Sequence, residues 1–184
     1  MARAWRFGDF VNTDQIIPGR YNVTTSSAEL GRACFIEHRP EYAAQVRPGD
    51  LIVAGEDFGC GSSREHAVIA ILASGVTAVL APSFARIFYR NAINRGLAVL
   101  ESPGAGAVQE GSEIELDVAR GRVIDHTANR EIVARPLPLF AQRIARHGGV
   151  LELVRVHGSL NGVCLPACGS APDGPVPLSP GRMP

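Results

Sequence analysis

Cysteine is scarce in this chain of 184 residues: there are four, at positions 34, 60, 164 and 168. None of their spacings gives the paired Cys-x-x-Cys of iron–sulfur or zinc ligand sets, so no metal centre is expected on this chain. Aromatics make up 6% and the formal net charge is zero. With no basic stripe interleaved with aromatics, nucleic acid is not an expected partner. No apolar run is long enough to cross a bilayer, and the start, Met1 to Asp9, offers no apolar export signal. A cytoplasmic protein with reduced thiols is the expectation.

What the chain does have is apolar content, 46% of its residues, enough for one compact domain with a real core. That domain is placed at residues 1–155. From 156 to 184 the sequence is so rich in Gly, Pro and Ser that a flexible tail is expected, and Cys164 and Cys168 fall within it.

The most informative segment is Gly59-Cys60-Gly61-Ser62-Ser63-Arg64-Glu65-His66. It lies between a short apolar strand, Leu51 to Ala54, and a nearly all-apolar helix expected over Arg64 to Ala73. Ser62 and Glu65 have the spacing of a capping box, in which the serine oxygen accepts from a helix N–H and the glutamate reaches back. That structural reading leaves the glycine pair unexplained. It also leaves an arginine in the first turn, where a cation opposes the positive end of the helix dipole. A carboxylate or phosphate held by free N–H groups and gripped by the Arg64 fork would satisfy both.

Other chemistries fit less well. A P-loop would need lysine followed by Ser or Thr, and a hydrolase elbow would need Gly two residues after the serine; neither is present. His66 is too close in sequence to Ser62 or Ser63 to be assumed their base. Cys60 reads as a small residue filling buried space.

The remaining pattern is mixed α/β. Strand Leu51–Ala54, helix Arg64–Ala73, strand Thr77–Leu80, helix Phe84–Asn94 and strand Ala98–Leu100 make a central βαβαβ unit, its helices closed by Gly75 and Gly96. Trp5 to Phe10 reads as an early strand and Ser26 to Cys34 as a short helix. The alternation at Ile114, Leu116 and Val118, then Gly121 and Val123-Ile124, reads as an antiparallel hairpin. Leu139 to His147 reads as a last helix and Leu151 to Val154 as a closing strand.

Three blocks in order, Gly8 to Pro18, Gly55 to Ala67, and Ser83 to Phe88 with Asn91 and Gly96-Leu97, resemble the small subunits of the isopropylmalate isomerases and homoaconitases. These correspond to the swivelling C-terminal domain of aconitase, and the resemblance covers roughly the first 155 residues. It implies a β/β/α layered fold and a hydro-lyase reaction on a small hydroxy-carboxylate: loss of water, then its return with the hydroxyl on the neighbouring carbon. It also implies a large partner subunit bearing a [4Fe-4S] cluster, so this chain would be half an enzyme. By that resemblance Ser62 matches the catalytic base, Ser63 and Arg64 the neighbours that bind a substrate carboxylate, and Asp14 an acidic site residue. From the residues alone, Asn12-Thr13-Asp14 is a plain turn.

Val23 stands in Arg20 to Thr25, the loop that resembles the family's reader of the substrate's variable group. An apolar residue there matches isopropylmalate, a leucine precursor, because an unpaired carboxylate beside it would cost several kcal/mol, roughly. Asn22 and Thr24 depart from that pattern and leave dimethylmalate, homoaconitate or methylcitrate-like acids open, as is the reading of this loop as an ordinary turn. Two further classes stand beside these: a stand-alone carboxylate-binding module, and a different enzyme using Ser62 as nucleophile.

Overall fold

The computed structural model describes residues 1–158. Seven strands form one mixed sheet in the order β4-β3-β2-β1-β5-β6-β7. Its parallel half comprises β1 (Ala2–Arg6), β2 (Leu51–Val53), β3 (Ala78–Ala81) and β4 (Ala98–Glu101). β2 and β3 are buried at every position, as expected of strands covered on both faces. Helices α4 (Glu65–Ala73) and α5 (Arg86–Arg95) make the crossovers, so the βαβαβ unit stands as read from the sequence.

β1 is where the sheet changes character. It runs parallel to β2, pairing Trp5 with Ile52, and antiparallel to β5 (Glu113–Asp117), pairing Ala2 with Ile114. β6 (Arg122–Asp125) forms the expected hairpin with β5, and β7 (Arg130–Val133) adds a strand that the sequence reading lacks. The sheet curls until its two edge strands meet: the Arg135 amide donates to the Glu101 carbonyl at 2.7 Å, and Ser102 Oγ to the Val133 carbonyl at 2.8 Å. Both edges are thereby partly covered, which removes an open template for strand addition.

The short helices α1 (Thr13–Ile16), α2 (Ser27–Arg32) and α3 (Pro40–Gln45) precede β2. α2 packs on α4, and α5 on α4 and α6 (Leu139–Arg146), making a continuous helical layer. Between it and the sheet, Trp5 meets Tyr42 edge-on at 5.0 Å and Phe7 stacks on Phe35 at 4.3 Å. Such rings dominate core burial. The Trp5 indole N–H donates to buried Asp50 at 2.9 Å, so the one polar atom of the ring is satisfied.

The last described element corrects the sequence reading. Leu151 to Val154 is not a closing strand but the middle of a helix, α7 (Val150–His157), which follows α6 after the turn at Gly148-Gly149. The strand reading rested on four residues; the spacing of Val150, Leu153 and Val154 is helical, and Leu153 is the residue it buries. Val156 and His157, placed at the start of the tail, instead end α7, and Gly158 caps it; residues 159–184, with Cys164 and Cys168, lie outside the described residues. Among the described residues no helix is long and apolar enough to cross a membrane.

Candidate functional site

Strand pairing does not stop where the parallel strands end. Beyond β1 and β2 the Phe10 amide donates to Glu56 at 2.7 Å, Gly59 to Val11 at 2.8 Å and Thr13 to Cys60 at 2.9 Å, all at carbonyls. Beyond β3, Phe58 and Ala85 exchange bonds with Ser83 and Phe58 at 3.2 and 3.0 Å. Three loops are thus laid side by side at the carboxyl ends of the parallel strands, the place where open α/β sheets gather ligands.

Holding the loops this close requires unusual backbone. Gly59 and Gly61 have φ of 81° and 89°, and a side chain on Gly59 would run into Phe88. Phe10 and Asp57 also take left-handed φ, 55° and 51°. The Asp57 amide is tied to Ser83 Oγ at 2.9 Å. Non-glycine residues held in this region cost about 1–3 kcal/mol each, and such strain clusters at working sites.

These turns shift the start of α4 away from the expected position. The cap is Arg64, in extended conformation and without a side-chain cap bond, so the Ser62–Glu65 capping box does not form. Glu65 turns instead to Arg95, whose guanidinium donates to it at 2.7 Å and holds its carboxyl below the usual carboxylate range. A capping box does occur nearby, between Asn12 and Gln15 at the start of α1, in the segment first read as a plain turn.

With no capping duty, Ser62 is exposed and its oxygen is free of the helix. Thr13, 2% exposed, donates from Oγ1 to the Ser62 carbonyl at 3.1 Å, and the two hydroxyl oxygens lie 3.4 Å apart. Among the described residues no acceptor meets the backbone N–H groups from Gly61 to His66. Six successive donors in the segment that carries Ser62 are thus left for solvent or a ligand, and an anionic oxygen is a partner that suits them.

Arg64 meets the demand for an anion within the chain: its guanidinium pairs with Asp14 in α1. The Gly19 backbone lies against both partners, a Cβ built there falling 3.8 Å from the Arg64 terminal nitrogens and 3.8 Å from Asp14 Oδ1. Gly19 opens the 3₁₀ turn Gly19–Val23, in which Val23 sits at the far end, 90% exposed. Ser62, Arg64 and Asp14 are therefore brought to one place. Ser63 is exposed beside them, and Val23 stands apart on the surface.

Thr13 is the site residue that sequence reasoning missed. Its position inside the Asn-Thr-Asp segment was visible, but its contact partner lies 49 residues away. His66 makes no hydrogen bond to either serine among the described residues. Cys60 is only partly buried; its thiol donates to the Phe10 carbonyl at 3.4 Å, and burial with the nearby Asp57 charge pushes its pKa up, away from thiolate chemistry. Cys34 is buried, with its pKa raised by loss of water and partly offset by hydrogen bonds to Tyr42 and Ser74. Among the described residues no three His, Cys, Asp or Glu side chains converge to hold a metal ion.

Known proteins place this arrangement in a family. The aconitase C-terminal domain profile matches residues 11–104, which include Asp14, Ser62, Arg64 and Ser83. The chain is 48% identical over 155 residues to 3-isopropylmalate dehydratase small subunit 1 of Archaeoglobus fulgidus, covering 84% of this chain and 96% of that protein. It is 50% identical over 157 residues to the small subunit 1 of the same name from Methanopyrus kandleri, covering 85% and 92%. The crystal structure of 3-isopropylmalate dehydratase from Methanocaldococcus jannaschii superposes with a TM-score of 0.81 at 40% identity, covering 88% of this chain and 96% of that one. With the curled mixed sheet and nearly full-length matches in agreement, the chain belongs to the aconitase C-terminal domain family, among the 3-isopropylmalate dehydratase small subunits.

Proposed function

We propose that this chain is the small subunit of a heteromeric hydro-lyase that interconverts 2-isopropylmalate and 3-isopropylmalate, a step of leucine biosynthesis, by removing and returning water. The observation that carries the reading is Ser62, freed from capping in a segment whose N–H groups lack protein acceptors, with the Arg64–Asp14 pair beside it. The large subunit would bring a [4Fe-4S] cluster, which would supply Lewis-acid help to the departing hydroxyl.

The residues of this chain handle the carbon-bound proton and one carboxylate. Ser62 Oγ, as alkoxide, takes the proton alpha to the carboxylate and returns it after the hydroxyl has moved. An alkoxide is a strong base that water and protein rarely tolerate, so its stabilisation is the main physical task. The amides from Gly61 to His66 are left without protein acceptors in the segment that carries this oxygen, and Thr13 offers a rotatable donor 3.4 Å from it. In the neutral state Thr13 donates to the Ser62 carbonyl, and it can turn to the alkoxide when charge develops. Covering the exposed serine with the partner expels water and strengthens each of these interactions.

Arg64 uses one terminal nitrogen on Asp14, which fixes the fork and leaves its other donors for a substrate carboxylate. Ser63, next in the exposed turn, is suited to the same carboxylate. Val23, on the turn that begins against the ion pair, would meet the branched alkyl group once the partner closes over it. A substrate with a further carboxylate in place of that alkyl group would leave a charge unpaired there.

The test is co-expression with a large subunit of the same family, without air, and measurement of alkene acid formation from 2-isopropylmalate beside dimethylmalate and the hydroxy-tricarboxylate whose dehydration gives homoaconitate. Activity should require both chains, prefer isopropylmalate, and fall about 10²–10⁴-fold in Ser62→Ala, the span of a positioned proton-transfer group. Turnover by the isolated chain without iron would overturn the reading.

A further inference from the structure

The α6–α7 pair carries an arrangement that the reaction does not use. His147, the cap residue at the carboxyl end of α6, and His157, in the last turn of α7, bring their Nε2 atoms to 3.3 Å, with ring centroids 5.2 Å apart and planes inclined by 68°. Two unprotonated nitrogens this close repel, so either one carries a hydrogen directed at the other or a cation lies between them. His147 Nδ1 is 2.8 Å from the Arg143 carbonyl, which can only accept, so the ring proton sits on Nδ1 and the lone pair on Nε2. Pinning Nδ1–H to a carbonyl while Nε2 faces outward is how proteins prepare a histidine for a metal.

The separation also selects the geometry. Two nitrogens each at 2.0–2.1 Å from a tetrahedral ion are about 3.3 Å apart, whereas adjacent corners of a square place them at roughly 2.9 Å. The carbonyl-rich ends of two helices favour positive charge, and Arg155, the nearest cation on α7, is already paired with Glu152. Among the described residues, the His147–His157 contact is also the one side-chain hydrogen bond joining α7 to another element.

We propose that His147 and His157 form a bidentate site for a tetrahedral divalent ion of the zinc or cobalt type, which staples α7 to α6. Two protein nitrogens bind, and water completes the shell, since no third His, Cys, Asp or Glu converges there among the described residues. With half the ligands of a structural zinc site, the dissociation constant is expected at about 1–100 µM.

The test uses the full, untagged chain titrated with CoCl2, followed by visible absorption, and with ZnCl2, followed by calorimetry. One ion per chain should bind in the tetrahedral cobalt spectrum and raise the Tm by a few degrees. His157→Gln, at an exposed position, and His147→Gln should each weaken binding at least tenfold. His126→Gln and the double change Cys164→Ser with Cys168→Ser should leave binding intact. Failure of the wild-type chain to bind below millimolar concentration would overturn the proposal, as would binding that survives His157→Gln. So would binding lost only with the two cysteines.

Discussion

The two halves of the sheet are built by different rules. In the parallel half, β2 and β3 are buried throughout, and their carboxyl ends run on into paired loops that carry Ser62 and Ser83. In the antiparallel half, β5, β6 and β7 each leave positions exposed beside the ones they bury, and they are joined in sequence by short turns. Parallel strands send all their carboxyl ends to one side, so loops distant in sequence converge there; antiparallel strands send neighbours to opposite sides. Chemistry that needs residues 13, 14, 62 and 64 together is therefore available to only one half.

The comparison can be broken at its glycines. Gly59 beside the site and Gly111 ahead of β5 have nearly equal φ, 81° and 79°. A side chain on Gly59 runs into the Phe88 ring, while Gly111 faces open space. Gly59→Ala should cost about 3 kcal/mol or more in denaturant unfolding, from left-handed strain plus overpacking, and Gly111→Ala only about 1 kcal/mol. Equal losses would mean that the loops beyond β2 are no more tightly held than an ordinary turn.

A smaller effect tests the hydroxyl behind Ser62. Thr13→Val keeps shape and removes the donor, so kcat of the reconstituted enzyme should fall about 10- to 100-fold, the value of a hydrogen bond to a charged group. KM should change little, and Thr13→Ser should recover most of the rate. A purely structural Thr13 would change unfolding without that rescue.

The smallest expected effect concerns the ties between helices. Hydrogen bonding from Arg95 keeps the Glu65 carboxyl below its usual range, so its contribution is present above the unfolded pKa and disappears as pH falls through the lowered folded value. Arg95→Gln should therefore lower stability near neutral pH by less than about 1 kcal/mol, the pair being largely exposed, and leave it unchanged in strong acid. Removing Arg122, paired with Glu131 across β6 and β7, should leave activity untouched.

What the sequence makes legible follows the same division. The βαβαβ unit is readable because its strands are unbroken apolar runs and its helices end in glycine. β7 is not, since Arg130-Glu131-Ile132-Val133 buries Ile132 alone and depends on β6 for its pairing. α7 is misread because four residues of alternation fit either period. At the site, the meeting of Arg64 with Asp14 follows from the family resemblance, but which serine oxygen is free does not. Spacing favours a cap at Ser62; the left-handed turn at Gly61 and the hold of Thr13 on the Ser62 carbonyl defer the helix by two residues. Contacts between segments 49 residues apart leave no mark in local pattern.

The extension of strand pairing into the three loops has a mechanical consequence. Amides at Phe10, Thr13, Phe58, Gly59 and Ala85 are bonded as strand amides are, so they should resist hydrogen exchange like the sheet rather than like surface chain. Among the described residues these bonded loops offer no flap. On the proposed reading, admission of substrate and departure of product would come from rocking of this chain, as a stiff block, against the large subunit.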